Sequence, residues 1–515
     1  MYRLFVFRNP LAYLWMVGWA ILLRIPSFHP SFYPPSESFL ITLAEQILSG
    51  FSPYQEVLTE ESPLTVGLFV FIQWVFGDFT RSAVDIFTVV YIFICGFLFN
   101  QMFNDLKFQR EISLFPGMMF ILITSLPWYA QELNGSLLLM LPMLLVVFLL
   151  IQTFEEGALP LPLLFKLGML VSIAFLIHYQ AIIFYLAIPL VYAMLSTPRI
   201  AEMVTMFIGM SIPLLISTLF LYFKGWLSAF ISMSLFQQLD KLTDAIPSLG
   251  LSSFAKDYWE LALAITYIFP AVLGMLAFRL GDNRLSSAQR KVESIMLVWL
   301  VTGTLMIIVS GFFRAANPLL PLVFPITFYL SRFFQLRIPS AIGALCFVMV
   351  LAFPTYSSIQ YSFVSSSENF KDIPFGLNTP GLVWQKQQLD FPFAVAELKA
   401  VIHQKNRKPN GLILSKDPSR YLRAGINARG PLTDNRLLTY KLHLNLNDES
   451  PILFSGGLTV VDLWKALNKF PPDWIWDETG QVEEWKYFLP LYFSGWKKIK
   501  MTTGNIWLSP KSPKV

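Results

Sequence analysis

Long apolar segments with almost no charged side chains occupy the first two thirds of this chain. A helix needs about 20 predominantly apolar residues to cross the hydrocarbon core of a bilayer, and the segments approach or reach that length. Only 14% of the 515 residues are charged, whereas soluble domains carry about 25%. The pattern predicts a polytopic α-helical membrane protein with about 11 transmembrane helices. In chain order, the predicted spans are Leu11–Leu23, 84–103, 113–127, 137–152, 163–177, 181–195, 203–223, 259–279, 293–311, 318–331 and 339–356.

The distribution of lysine and arginine predicts which loops face the cytoplasm. One apolar stretch, Leu64–Phe76, is ambiguous. If it crosses the bilayer, every later loop inverts and the basic cluster at 279–291 lies outside the cell. If it does not cross, most basic residues fall on the cytoplasmic side together with the N-terminus. The second arrangement is favoured, and it makes Leu64–Phe76 a juxtamembrane helix with Trp74 and Phe76 at the interface.

This orientation predicts a transmembrane domain at 1–356 and a soluble periplasmic domain at 357–515, in a bacterial inner membrane. Two long loops, 25–83 and 224–258, then lie outside the membrane. The tail is predicted to be a small α/β domain. Within it, GLILSKD and LTVVDL look like strands, DFPFAVAELKAVIHQK looks like a helix, and FPPDWIWDETG looks like a turn-rich connection.

Some classes of function are poorly supported by the composition. The formal net charge of +5 is small and no arginine-rich stripe with interleaved aromatic residues occurs, so no nucleic-acid partner is expected. The two cysteines, Cys95 and Cys346, both lie in apolar runs, which excludes a disulfide framework and a cysteine-based zinc site. A secondary transporter is a weaker hypothesis because the predicted helix centres nearly lack ionisable residues and no inverted repeat is evident.

The densest acidic stretch, PPSESFLITLAEQILSGFSPYQEVLTEESPL at 34–64, lies in the first outer loop. It holds five glutamates, and no lysine or arginine occurs between Arg24 and Arg81. Most of these glutamates are expected on solvated helix faces. Glu37 differs because it follows the proline-rigidified turn YPPS and opens the amphipathic segment ESFLITLAEQIL. It is either a first-turn residue behind a Ser36 cap or a functional carboxylate.

The order of motifs in this loop resembles the first outer loop of GT-C glycosyltransferases. These are the polyprenyl-phosphate-sugar-dependent enzymes that include protein mannosyltransferases and lipid A aminoarabinose transferases. The matching motifs are RIP, PPSE, AEQILSGFSPY, ESPL and WVFGD. By motif position, the family's acidic pair falls on Ser36 and Glu37, its turn on Tyr54, and its arginine on Arg81. Ser36 stands where the family has an aspartate. The resemblance covers roughly residues 1–356 and implies a GT-C-like fold.

A second match is the segment SGFFRAANPLLPLVFPITFYLSRFF. It resembles the family segment in which an arginine at the outer membrane surface meets the lipid-linked phosphate. That position falls on Arg314, with Asn317 where a histidine is often found. A guanidinium can make paired, charge-assisted hydrogen bonds to phosphate oxygens, although an ordinary interfacial arginine is the alternative.

Two shorter segments also resemble family positions. In FLIHYQAIIF, the side chains of His178 and Gln180 could reach a phosphate or a sugar, or form a satisfied polar turn. In PWYAQELNGSLL, Glu132 or Asn134 occupies the place of a second-loop acidic residue that often helps to hold a metal ion. Lys241 and Lys256, in the second long loop, are further phosphate partners to consider, but a solvated position is the more frequent outcome for such lysines.

The resemblance implies a membrane glycosyltransferase that moves a hexosyl or pentosyl group from a polyprenyl-phosphate donor to a glycan, lipid or protein acceptor. Glu37 would deprotonate or orient the acceptor, and Arg314 with His178 would offset charge on the departing phosphate. The displacement would proceed with or without a divalent cation (Mg²⁺ or Mn²⁺). If a cation binds, Glu37 and Glu132 are its expected ligands. The alternative is a non-catalytic GT-C-like subunit of an envelope or secretion assembly.

Overall fold

The computed structural model describes residues 13–24, 35–48, 50, 52–54, 59, 61–77, 80–106, 113–125, 132–155, 161–196, 198–231, 264–281, 287–309, 320–334, 346–351, 411–414, 467, 472–477, 480–501 and 504–510. The described part is mostly helical, and its large hydrophobic core is built from apolar helices. This confirms the predicted class of an α-helical protein with the apolar helices of a membrane protein.

The helices begin and end close to the predicted apolar segments, because each segment carries its own helical signal in an unbroken apolar run. Three of them are long and apolar enough to cross a membrane within the described residues: Ser82–Asp105, Gly135–Thr153 and Ile200–Phe223. The number of crossings stays a prediction. The helices are α1 (Tyr13–Arg24), α2 (Pro35–Leu48), α3 (Pro63–Phe76), α4 (Thr80–Asp105), α5 (Phe115–Thr124), α6 (Gly135–Leu138), α7 (Met140–Glu155), α8 (Leu161–Ile177), α9 (Ile182–Leu195), α10 (Ile200–Phe223), α11 (Leu227–Phe230), α12 (Phe269–Gly281), α13 (Ser287–Val309) and α14 (Val323–Phe333).

Helices α8 and α10 touch backbone to backbone because glycines lie at their crossing. A Cβ atom on Gly168 would collide with the Met206 carbonyl oxygen, and one on Gly209 would collide with the Phe165 carbonyl oxygen. The Ser172 hydroxyl donates to the Met210 carbonyl across the same contact. Small residues and interhelical hydrogen bonds are the usual means of helix association in lipid, where apolar burial alone gives little driving force.

The two helices of the first long loop, α2 and α3, pack against each other. Helix α3 has 14 residues. Its exposed face carries Leu64, Phe71, Trp74 and Val75. The helix predicted at 64–76 is therefore present, and its exposed apolar stripe suits a position along the membrane surface.

Near the C-terminus, four strands form one sheet in the order β1-β2-β4-β3: β1 (Gly411–Leu414), β2 (Trp474–Asp477), β3 (Lys497–Lys500) and β4 (Asn505–Leu508). Strand β1 runs parallel to β2, and the other two pairs are antiparallel. Helix α15 (Gln481–Phe488) follows β2. The Asp477 carboxylate joins the two by accepting the backbone N–H groups of Gly480 (2.7 Å) and Val482 (3.1 Å).

The sheet bears on the predictions for two segments of the C-terminal part, FPPDWIWDETG and GLILSKD. FPPDWIWDETG is not a turn-rich connection, because it contains the buried inner strand Trp474–Asp477. The prolines and the glycine that flank this segment suggest a turn. The aromatic residues between them instead form a buried strand that hydrogen-bonds to β1 on one side and to β4 on the other. The strand predicted in GLILSKD is present as Gly411–Leu414. LTVVDL and the helix predicted in DFPFAVAELKAVIHQK lie outside the described residues, and the domain boundary near 357 stays a prediction.

Candidate functional site

Glu37 lies in the first turn of α2, and its carboxylate is directed at another part of the chain. Its Oε2 atom accepts the backbone N–H of Leu133 at 3.1 Å, joining residues 96 positions apart. The side chain is only 4% exposed. Helix α2 begins at Pro35, so Ser36 lies inside its first turn and does not precede it as a cap. The acidic turn of the first loop is thus anchored on the segment 132–134.

The segment 132–134 holds two further predicted residues in one hydrogen-bonded unit. Glu132 is 4% exposed, and its Oε1 atom accepts the side-chain amide of Asn134 at 3.1 Å. Asn134 caps the short helix α6, since its Oδ1 atom accepts the backbone N–H of Leu137 at 2.9 Å. An asparagine cap satisfies one of the otherwise orphan N–H groups of a helix start. Glu132 therefore positions a cap, and both lie beside the Glu37 contact.

His178 follows α8 and lies against the start of α6. Its Nε2 atom is 3.4 Å from the Ser136 hydroxyl. The Thr65 hydroxyl of α3 donates to the Ile177 carbonyl at 2.8 Å, which brings the first loop to the same place. A Cβ atom on Gly135 would lie 3.0 Å from that carbonyl oxygen and 3.1 Å from the His178 Nδ1 atom, so only glycine fits without displacement.

Tyr54 fastens the first loop to the turn after α8. Its ring is buried and its φ of 68° lies in the left-handed region that non-glycine residues seldom adopt. The Tyr54 hydroxyl donates to the Glu61 carbonyl at 3.1 Å, and the Tyr179 hydroxyl donates to the same oxygen at 3.3 Å. Burial, and then the neighbouring Tyr179 and Glu61, raise the pKa of Tyr54 well above its usual value, so the hydroxyl remains a donor. Both rings pack on Phe230 of α11.

Two charged residues that were not predicted from the sequence are buried in helices α1 and α4. Arg24 is the last residue of α1 and is 1% exposed, and Asp85 lies in α4 and is 9% exposed. Glu37 and Asp85 are acidic residues whose charges counter the effect of burial on the charge of Arg24. An arginine that ends an apolar run and an aspartate inside another run were the signals available, because ionisable residues in apolar helices seldom occur without a role.

The structure thus brings together Glu37, Glu132, Asn134 and His178 through a chain of short contacts. The roles predicted for the other residues stay predictions. Arg314, Asn317, Lys241 and Lys256 lie outside the described residues, as do the side chains of Ser36, Arg81 and Gln180.

The described residues do not form a metal site by themselves. No group of three or more His, Cys, Asp or Glu side chains within the described ranges is arranged to hold a metal ion. Glu37 and Glu132 each direct a carboxylate oxygen at an N–H donor. Their expected role as ligands of a divalent cation stays a prediction.

Among solved structures, the chain is similar to the archaeal oligosaccharyltransferase AglB from Archaeoglobus fulgidus, determined in complex with an inhibitory peptide and a dolichol-phosphate. The TM-score is 0.48 and the sequence identity 11%, over 97% of this chain and 74% of the other. No protein-family model and no curated protein sequence matches the chain.

Proposed function

We propose that this chain is a membrane glycosyltransferase that moves a sugar from a polyprenyl-phosphate donor to an acceptor at the outer face of the cytoplasmic membrane. One observation carries the proposal: Glu37, the carboxylate selected from the acidic loop, is buried against the segment 132–134. His178 reaches the adjoining start of α6 through Ser136. Three segments that are far apart in sequence therefore meet in the way that a shared site requires.

The contact fits the topology predicted from charge. In that topology the predicted spans 84–103 and 113–127 separate Glu37 from Leu133, and an even number of crossings returns the chain to the same side. The hydrogen bond of 3.1 Å between the two residues is compatible with this arrangement.

In the proposed reaction, the Glu37 carboxylate accepts the proton of an acceptor hydroxyl or amine. The acceptor atom forms a bond to the anomeric carbon while the bond from that carbon to the lipid phosphate oxygen breaks. The electron pair leaves with the phosphate, and the anomeric centre is inverted. His178 and Arg314 would stabilise the charge that develops on the phosphate, which is usually the largest electrostatic contribution to such a step. The backbone N–H of Leu133 fixes one Glu37 oxygen and so orients the other.

A second candidate is a non-catalytic GT-C-like membrane subunit of an envelope or secretion assembly. The observation in its favour is that the Glu37 and Glu132 carboxylates both hold local structure together. Buried carboxylates that serve only this purpose would make the same contacts. Transfer activity separates the two candidates.

The test compares Glu37→Gln with Glu45→Gln in the purified full-length protein, using radiolabelled sugar transfer from a polyprenyl-phosphate lipid extract. Glutamine keeps an oxygen that can accept the Leu133 N–H but cannot take a proton. We expect Glu37→Gln to lower transfer by about 10²-fold or more. Glu45→Gln, on an exposed position of the same helix, should retain wild-type transfer.

Arg314→Ala is expected to lose transfer as well, because the donor phosphate would lose its cation. If Glu37→Gln and Arg314→Ala both keep full activity or full cellular function, the catalytic proposal is wrong. The sugar and the acceptor are identified in a separate experiment, by mass spectrometry of envelope glycans, lipids and glycoproteins from a deletion strain. The product that is missing from this strain identifies the class of acceptor.

A further inference from the structure

We propose that Tyr91 is a positioning residue, which fixes the break between α6 and α7 and so places α6 in the site. The inference rests on the proposed function, in which Glu37 acts on the acceptor and His178 on the donor phosphate. Tyr91 lies in α4 and is 7% exposed, and it was not predicted as a site residue from the sequence. Its hydrogen bonds join it to the backbone on both sides of the break.

The break between α6 and α7 has a cause in the sequence. In an unbroken α-helix, the Leu138 carbonyl would accept the N–H of residue 142. That residue is Pro142, which has no N–H and whose ring crowds the carbonyl four residues before it. Helix α6 accordingly ends at Leu138 and α7 begins at Met140, with a turn at Leu139 between them. The buried Leu138 carbonyl therefore needs a donor from outside its own helix.

Tyr91 supplies that donor from the neighbouring helix. Its hydroxyl donates to the Leu138 carbonyl and accepts the backbone N–H of Leu141 at 3.0 Å. A tyrosine hydroxyl has one donor and acceptor lone pairs, so it can make both bonds at once. A side chain inserted into a helical hydrogen-bond ladder is a recognised cause of a bend between two helical segments. Tyr91 therefore sets the direction in which α6 leaves α7.

Helix α6 carries this direction into the site. It has four residues, and contacts of the site lie at its start. The backbone N–H of Leu133, just before it, is donated to Glu37 at 3.1 Å. The Ser136 hydroxyl, within it, lies 3.4 Å from the Nε2 atom of His178. A change in the direction of α6 would displace both contacts, and a misplacement of about 1 Å can cost about 10²-fold in rate.

The simpler interpretation is that Tyr91 only clips α4 to α7, which pack against each other. Its loss would then resemble the loss of any other buried tyrosine hydroxyl. Tyr267 offers the comparison, because it is 0% exposed and its hydroxyl donates to the Val350 carbonyl at 2.9 Å. Tyr267→Phe therefore removes an equivalent hydrogen bond between two other segments of the chain.

The first experiment compares Tyr91→Phe with Tyr267→Phe in the purified full-length protein, by thermal unfolding and by transfer at saturating donor. Both variants should lower the unfolding temperature to a similar extent. We expect Tyr91→Phe to lower kcat on the order of tenfold or more, whereas Tyr267→Phe should keep wild-type kcat per folded molecule. In log kcat, Tyr91→Phe and Ser136→Ala should be non-additive, because both disturb the same contact, and Tyr267→Phe and Ser136→Ala should be additive.

The second experiment changes the cause of the break. Pro142→Ala supplies the N–H that the Leu138 carbonyl lacks and removes the crowding by the proline ring. The break should close, so the variant should unfold at the same or a higher temperature while kcat falls. A clip predicts that stability and transfer change in the same direction. Wild-type or higher kcat in Pro142→Ala would overturn the inference.

The third experiment reports the position of α6 without measuring transfer. A single thiol is introduced by Ser136→Cys in a background lacking Cys346, while Cys95 stays because it is only 1% exposed. The rate of labelling by a maleimide measures access to this thiol beside the end of α8. Adding Tyr91→Phe should raise the rate several-fold, and adding Tyr267→Phe should leave it unchanged.

The outcomes separate the inference from the proposed function. Unchanged kcat or unchanged labelling in Tyr91→Phe would overturn the inference, as would equal effects of Tyr91→Phe and Tyr267→Phe on kcat. If Glu37→Gln keeps full transfer, the proposed function fails instead. The labelling rates then still report whether Tyr91 fixes the position of α6.

Discussion

At the scale of single residues, Tyr54 and Tyr179 share one hydrogen-bond acceptor, and stability should depend on both of them. Both hydroxyls donate to the Glu61 carbonyl and join the first loop to the turn beside His178. Removing one hydroxyl leaves the second donor in place, so Tyr54→Phe or Tyr179→Phe should each cost about 1 kcal/mol in the free energy of unfolding. The double variant leaves the partly buried carbonyl with neither tyrosine donor and should cost more than the sum. Thermal unfolding of the purified protein measures this.

The control for this pair is Tyr185→Phe on the next helix, α9. It removes a tyrosine hydroxyl that makes no contact with Glu61, and it should leave both unfolding and transfer unchanged. Equal effects from all three single variants would mean that the Glu61 carbonyl is not the shared acceptor. A double variant that unfolds like wild type would contradict the interpretation of the Tyr54 contact as the fastening of this loop.

At the scale of elements, the crossing of α8 and α10 should be the most sensitive helix pair to added volume. Gly168→Ala inserts a methyl group against the Met206 carbonyl, which is backbone and cannot rotate away. Overpacking of this kind costs about 1–3 kcal/mol. The variant should therefore unfold at lower temperature and yield less folded protein. Because α8 leads directly into His178, transfer should fall together with stability.

Gly67→Ala is the matched control for that substitution. It also adds one methyl group in the middle of an apolar helix, α3, but no atom lies within 4 Å of the new Cβ. Alanine has a higher helix propensity than glycine, so this variant should be neutral or slightly more stable. If Gly168→Ala behaves in the same way, the two helices are not in backbone contact.

At the scale of the whole molecule, the apolar segments of the sequence predicted the helices, and its motifs selected several residues that the structure brings into contact. Neither predicted which elements pair with each other. Apolar segments predict helices well because the signal is local, and the bounds of α8 and α10 differ by a few residues from the predicted spans. The strand at Trp474–Asp477 was missed because its partners lie more than 25 residues before and after it. Glu37 could be selected from its turn, whereas its partner is a backbone N–H that no side-chain pattern marks. Helices α1 and α4, which carry the buried Arg24 and Asp85, pack together, which is likewise a tertiary contact.

The last prediction concerns the orientation of the chain in the membrane. That orientation depends on whether α3 crosses the bilayer. If it does not, Arg290, exposed near the start of α13, lies in the cytoplasm and Lys500, exposed on β3, lies outside. If α3 crosses, both positions exchange sides, whereas Glu45, exposed on α2 before α3, stays outside in either case. Single cysteines at 45, 290 and 500, in a background lacking Cys95 and Cys346, report this through labelling of intact spheroplasts by a membrane-impermeant maleimide. We expect positions 45 and 500 to label at once and position 290 only after the membrane is opened. Labelling at 290 but not at 500 would place α3 across the bilayer and overturn the orientation predicted from charge.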